Sequence, residues 1–435
     1  MIVSFRFKNF KSYKDEAVFS FEAIESDFLS NNLSEIKLKD GEKIRLLKSA
    51  VIFGANASGK SNIIWALHAL IYLVANSRNF DVRTLIPTYF PYLSGDSQHK
   101  PTEMSLDFIV NKQRYRYKIA YDSNLIHSEK LELIKLGKSI LVYDLSLTEN
   151  KHGKKLEFGA GYTSTTLDMS YITNVHNHLL LSEMGIRPEN GLQDVYGAII
   201  DMKAYPIADV INLKAINDAV ANEFLSSDSS ILSRVKQFMK IADLGIYDLS
   251  MLEHQEEDFQ FPDSIPEAVK SKFIADYKWE INIIHKNSVG EEFSLPMQME
   301  STGTKYLLGM SSRVFNVLKT GGVLAYDEMN IATHPELFKL IVSLFNSNKY
   351  NTRNAQLIFT THDASIAADN LLRADQVWFA EKDENGFSEL YSAQDFDGVD
   401  IKLPFDKWYQ NGRFGALPKF GCLDFIFSDE TKEKN

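Results

Sequence analysis

The stretch "GANASGKSN" at 54–62 constrains the fold more than any other part of the chain. It fits G-x-x-x-x-G-K-S and lies between the apolar run "SAVIF" at 49–53 and the helical pattern "SNIIWALHALIYLVAN". A buried strand that turns through glycines directly into a helix is the geometry of a phosphate-binding loop. Gly54 and Gly59 permit the tight turn, so that the backbone N–H groups of Ala55, Asn56, Ala57 and Ser58 can face phosphate oxygens. The helix N-terminus behind them adds partial positive charge. Lys60 is expected to reach the β and γ phosphates, Ser61 to bring its hydroxyl to a Mg²⁺ ion, and Asn62 to complete the loop. A strand feeding a helix in this way belongs to an α/β sheet.

Such a loop needs acids on a neighbouring strand, and "VLAYDE" ends in Asp327 and Glu328. Asp327 is expected to hold the magnesium and Glu328 to polarise the attacking water. "LIFTTHD" then places His362 at the end of a further apolar strand, where strand C-termini line a ligand crevice. A histidine there can contact a γ-phosphate. "STGTKYLLGM", beginning at Ser301, opens a helix 26 residues before Asp327. Helix capping alone accounts for such a serine, but the Ser-x-Gly spacing of Ser301 and Gly303 also suits the edge of a nucleotide.

The rest of the chain is organised around these motifs. Residues 1–22 alternate as strands, and from about 102 to 158 period-two patterns such as "RYRYKIAYD" predict an antiparallel sheet. Residues 165–242 read as mostly helical, without sustained heptads. Strands return after 243, and "GGVLAYDE", a helix from about His334 and "AQLIFTTHD" alternate as in a parallel sheet. The expected domains are an N-lobe at 1–164, an inserted helical arm or lid at 165–242, and a C-lobe at 243–435.

Composition narrows the function classes. The net charge of −11 over 435 residues argues against blanket electrostatic binding to nucleic acid. Lys130, Lys135, Lys138 and "KHGKK" at 151–155 could form a local basic face, but solvated strand edges explain them more simply. Nothing resembles a membrane span or a signal peptide. Cys422 is the single cysteine, so a disulfide framework is excluded and a cytoplasmic location is expected. "DFD" at 395–397 is a D-x-D in a turn, with Asp395 and Asp397 as weak metal candidates.

"GANASGKSN", "ESTGTKYLLG", "YDEMNIATHPEL", "IFTTHD" and "WYQNGRFGALP" together resemble the RloA/AbiL-type ATPases over nearly the whole chain. These are relatives of the heads of structural-maintenance-of-chromosomes (SMC) proteins and are common in bacterial antiphage systems. The resemblance implies an ABC-type P-loop ATPase head, with mixed and parallel sheets flanked by helices and an N-terminal antiparallel sheet. It implies ATP and Mg²⁺ held between two copies, Ser301 and Gly303 of one closing over the nucleotide gripped by Lys60 of the other. "FRFKNFKSY" is similar to the family's first strand and turn, where Lys11 or Ser12 approaches the nucleotide. A higher homo-oligomer and an effector partner such as a TOPRIM or HNH nuclease are further implications. The sequence departs from the pattern in reading Ser-Thr-Gly for Ser-Gly-Gly. It also leaves Gln98 and "FPYL" as alternatives for the Q-loop. The rival reading is a DNA-repair or DNA-end-binding ATPase acting on nucleic acid directly.

Overall fold

A computed structural model of the chain describes residues 1–148, 153–162, 175–188, 191–206, 212–242, 245–331, 334–367, 371–396 and 405–417. The alternating segments form an antiparallel sheet of β1 (Ile2–Lys8), β2 (Ala17–Ser20), β6 (Thr102–Val110), β7 (Gln113–Tyr121), β8 (Ile126–Lys135), β9 (Lys138–Leu147) and β10 (Lys154–Phe158). Its order is β10-β9-β8-β7-β6-β1-β2. Between β6 and β7, Asn111 and Lys112 both have positive φ (50° and 60°). Two consecutive left-handed residues make the hairpin turn whose twist matches the strands. One face buries Phe5, Phe7, Leu106, Phe108 and Tyr117; the other carries ion-paired side chains such as Arg116 with Asp107.

The second sheet runs β11 (Lys203–Tyr205), β15 (Val323–Tyr326), β16 (Gln356–Thr360), β5 (Ser49–Phe53), β17 (Val377–Lys382), β18 (Ser388–Ser392). Its pairs are parallel from β11 to β17, and β18 adds antiparallel. The side chains of β5 divide by period two. Ala50 and Ile52 enter the core shared with the antiparallel sheet and α1 (Lys60–Asn76), while Val51 and Phe53 enter the core on the opposite face. Strands buried on both sides read as continuous apolar runs, which is how "SAVIF" and "LIFT" appear in the sequence.

The described part of 165–242, expected as an inserted arm, packs onto both faces of this head. α2 (Leu180–Met184) and α3 (Gln193–Ile200) bury Leu180, Leu181, Val195 and Ile199 in the core of α1. β11 then pairs with β15. α4 (Leu213–Leu225) and α5 (Ser230–Ala242) bury Ile216, Val220, Val235 and Met239 in the opposite core. That core also contains α7 (Thr302–Thr320) and α8 (Pro335–Asn346). Two smaller elements flank the head: the hairpin β3 (Leu33–Lys37) and β4 (Lys43–Leu47), and the sheet β12 (Ile246–Glu253), β13 (Trp279–Lys286), β14 (Glu292–Pro296). α6 (Glu267–Tyr277) buries no side chain fully, and its Phe273 meets Phe259 and Phe261 at 5.9 and 5.5 Å between ring centres. Among the described residues no helix is long and apolar enough to cross a membrane.

One buried amide ties the two large sheets together. Gln356 Oε1 accepts from Ile2 N–H at 2.6 Å, while its Nε2 lies 3.0 Å from Ile2 O and 3.2 Å from Leu47 O. Replacing Gln356 by Leu leaves these buried backbone groups unmet, which costs about 1–3 kcal/mol. The expected result is a lower urea midpoint for Gln356→Leu; an unchanged midpoint would contradict the joint.

Candidate functional site

The loop after β5 is shaped by close approach. A Cβ on Gly54 would lie 2.3 Å from Ala380 O, and one on Gly59 would lie 2.4 Å from Ser388 Oγ and 2.9 Å from Ser12 Oγ. Gly59 also has φ 107°, a left-handed value that favours glycine. The walls that exclude a side chain here also hold the loop. Ser388 Oγ sits 2.6 Å from Ser58 O and 2.7 Å from Ser12 Oγ, and Asn62 Nδ2 donates to Ser12 Oγ at 2.7 Å. On the outer flank, Ala55–Ser58 line a cavity of about 170 Å³ with Glu381, Lys382, Ala416 and Leu417.

Lys60 opens α1 and folds back over the loop. Its Nζ donates to Gly54 O at 2.8 Å and to Ala55 O at 3.0 Å. Burial lowers its pKa, while the charges of Glu328 and Asp327 pull it back up. The two acids are thus close enough to act on the lysine. Ser61 follows, half-buried, in the first turn.

Asp327 and Glu328 come directly after β15. Asp327 is fully buried, and Thr360 Oγ1 donates to its Oδ1 at 2.6 Å. Glu328 Oε1 lies 2.9 Å from Nε2 of His362. Burial pushes the Glu328 carboxyl up, but the His362 contact and the Lys60 charge outweigh it and hold the group below the usual value. Parallel pairing brings these residues together, because Tyr326 is in register with Phe359, and Thr360 with Ile52.

Lys11 reaches the same region from the turn after β1. Its Nζ lies 4.3 Å from the centre of the Trp65 ring, its N–H donates to Phe90 O at 2.6 Å, and the charge of Asp327 acts on it. Phe90 belongs to "FPYL", whereas Gln98 is exposed and offers its carbonyl to Tyr89. Ser301 and Gly303 are not drawn into this group within one chain. Ser301 is exposed and caps α7, accepting from Thr304 N–H at 3.0 Å; Gly303 follows, half-buried.

Other sequence candidates have ordinary structural partners. Asp395 accepts from Ser392 N–H at 2.9 Å, and Asp397 and Cys422 lie outside the described residues. Lys130 bridges Glu132 and Asp144 rather than standing in a bare basic face. Among the described residues no three His, Cys, Asp or Glu side chains are grouped as a metal site. Sequence reasoning missed Thr360 and Ser388. Thr360 stood inside the "TTHD" motif, whereas nothing around Ser388 marks it. The C-terminal "WYQNGRFGALP" has a packing role: Tyr409 packs at a tilt against Phe53 at 5.4 Å, and Phe414 stacks on Phe379 at 4.9 Å. Burial pushes the Tyr409 hydroxyl up to about 12, although the Gly54 amide lowers it.

Comparison with solved structures finds SMC heads. One is the SmcHead bound to the C-winged helix domain of ScpA, with 16% identity, 90% of this chain and 97% of that chain covered, and a TM-score of 0.44. The SMC head domain from Thermotoga maritima has 14% identity over 90% and 98% of the two chains, with a TM-score of 0.37. The Smc head with an extended coiled coil, bound to the C-terminal domain of ScpA derived from Pyrococcus furiosus, has 14% identity over 95% and 98%, and a TM-score of 0.40. Comparison with curated proteins returns no match. The profile of one protein family matches residues 49–168 and 194–369, more than half of the chain, with the loop at 54–62, Ser301, Asp327, Glu328, Thr360 and His362 inside the match and Lys11, Ser12 and Ser388 outside it. The chain belongs to that family, described as "AAA domain, putative AbiEii toxin, Type IV TA system".

Proposed function

We propose that the chain is an ABC-class ATPase of RloA/AbiL type, which binds and hydrolyses Mg-ATP between two copies and thereby controls a partner effector in antiphage defence. The observation that carries the ATPase reading is the meeting of Lys60, Asp327, Glu328 and His362 at the C-terminal edge of three adjacent parallel strands. The loop N–H groups and Lys60 are suited to holding the triphosphate, with Lys11 beside them. Ser61 and Asp327 offer a hydroxyl and a carboxylate, hard oxygen donors of the kind Mg²⁺ takes. When bound, Mg²⁺ neutralises phosphate charge; the chain's own residues orient the reactants. Thr360 fixes the rotation of the Asp327 carboxylate through its hydrogen bond. Glu328, held ionised beside His362, accepts the proton of a water directed at the γ-phosphorus. The exposed Ser301, at the N-terminus of α7, is free to face a second copy.

The family description names a toxin–antitoxin system, which supports action together with a second protein. A nuclease of TOPRIM or HNH type fits that place as effector. DNA-directed activity has less support, because Lys130 is already paired with acids.

Glu328→Gln should keep ATP binding, lower turnover by about 10²-fold or more, and shift to a dimer on gel filtration with ATP. Wild-type turnover would overturn the role given to Glu328. Lys60→Ala and Ser301→Arg should each be inactive alone. Mixed, they should regain up to about a quarter of wild-type ATPase activity, since half the dimers are mixed and each has one intact site. No recovery on mixing would sink the shared site.

The lowered Glu328 pKa also makes a stability prediction. A carboxyl held below its ordinary 4.5 contributes stability that is full above that pH and is lost as pH falls through the folded value. The urea midpoint of the wild type should therefore exceed that of Glu328→Gln at neutral pH, and the gap should close in acid. A gap independent of pH would contradict the Glu328–His362 pairing.

A further inference from the structure

We infer that Thr360 and Tyr306 are positioning residues that clamp the backbone of Glu328 from both sides and so aim its carboxylate. Glu328 has φ 51°, a left-handed conformation unusual for a residue with a side chain. Such a conformation persists only where the surroundings hold it. Two side-chain hydroxyls do so. The Glu328 N–H donates to Thr360 Oγ1 at 2.8 Å, and the Tyr306 hydroxyl donates to the Glu328 carbonyl at 3.2 Å.

The proton inventory at Thr360 is closed. A backbone N–H can only donate, so Oγ1 accepts from Glu328, and its single proton goes to Asp327 Oδ1 at 2.6 Å. One fully buried hydroxyl therefore sets both consecutive acids. Serine can reproduce this arrangement; valine, of nearly the same shape, cannot.

Tyr306 is almost fully buried. Its ring meets Tyr326 edge-on at 5.9 Å, and the Tyr326 hydroxyl accepts from Arg313 at 3.1 Å. Tyr306 lies on α7 five residues after Ser301, and Thr360 lies two residues before His362. The clamp thus ties Glu328 to the helix that Ser301 begins and to the strand that leads to His362. On the proposed function, on which this consequence rests, Ser301 of a chain touches the nucleotide of its partner while Glu328 of that chain acts on its own. Tyr306 then links the two nucleotides of a dimer: seating of the partner's γ-phosphate on α7 is felt at Glu328.

The test compares Thr360→Val, Thr360→Ser and Tyr306→Phe in the full chain, with two readouts. The first is amide hydrogen exchange of the segment 326–331 in the protein alone. Exchange should be faster than wild type in Thr360→Val and in Tyr306→Phe, and restored in Thr360→Ser. The second is nucleotide binding against turnover. In Thr360→Val, ATP affinity measured without Mg²⁺ should stay close to wild type while kcat with Mg²⁺ falls roughly 10- to 100-fold, the loss expected of a displaced catalytic group. Thr360→Ser should recover kcat, and Tyr306→Phe should lose the cooperativity between sites. Equal exchange in Thr360→Val and the wild type overturns the clamp, as does equal impairment of Thr360→Val and Thr360→Ser. Should Thr360→Val fail to fold, Tyr306→Phe, which removes one hydroxyl, decides by the same exchange measurement. A wild type without ATPase activity would refute the proposed function, while the exchange result would still decide the clamp.

Discussion

Parallel pairing of β5 with a neighbour on each side is the constraint on which the molecule depends. Five consecutive buried residues, none of them exposed to water, hold this strand between two cores. Because β15, β16 and β17 run in the same direction as β5, the C-terminal ends of these four strands lie at one edge. Residues far apart in sequence, Gly54, Asp327 and Thr361, follow strand ends in register. No long-range charge attraction is needed to gather the polar groups; sheet geometry delivers them.

What the sheet delivers, hydroxyl groups then fix in place. Ser12 and Ser388 hold the loop, and Thr360 holds the acids. Each is a short side chain with little rotamer entropy to lose; Ser388 and Thr360 satisfy buried backbone or carboxylate groups that would otherwise be costly, and Ser12 pairs with the Ser388 hydroxyl and the Asn62 amide. The electrostatics are balanced in the same compact way. Burial works against the charge of Lys60 and that of Glu328, and each supplies part of the field that restores the other.

Much of this was legible in the residues. The loop at 54–62 announced itself through glycine spacing, and "VLAY" and "LIFT" through runs too apolar for any surface strand. The N-terminal meander followed from period two. The helix after Ser301 began at Thr302, as its capping pattern required. The placement of 165–242 was not legible. Helical periodicity identifies an apolar face without saying what covers it, and the three residues of β11 are too few to carry a period. α6 lacks an apolar stripe, so no periodicity marks it in the sequence. Within the site, motif spacing pointed to Asp327, Glu328 and His362, but not to their mutual contacts, which are set by strand register. Ser388 was invisible because only tertiary approach brings β18 against Gly59.

The tilted ring contact of Tyr409 with Phe53 has a mechanical corollary. Phe53 is the last strand residue before Gly54, so the floor beneath the glycine turn is furnished by residues more than 350 positions downstream. The segment 405–417 thus braces the residue from which the turn departs. A displacement of 405–417 would therefore reach the loop through direct ring contact rather than across the sheet.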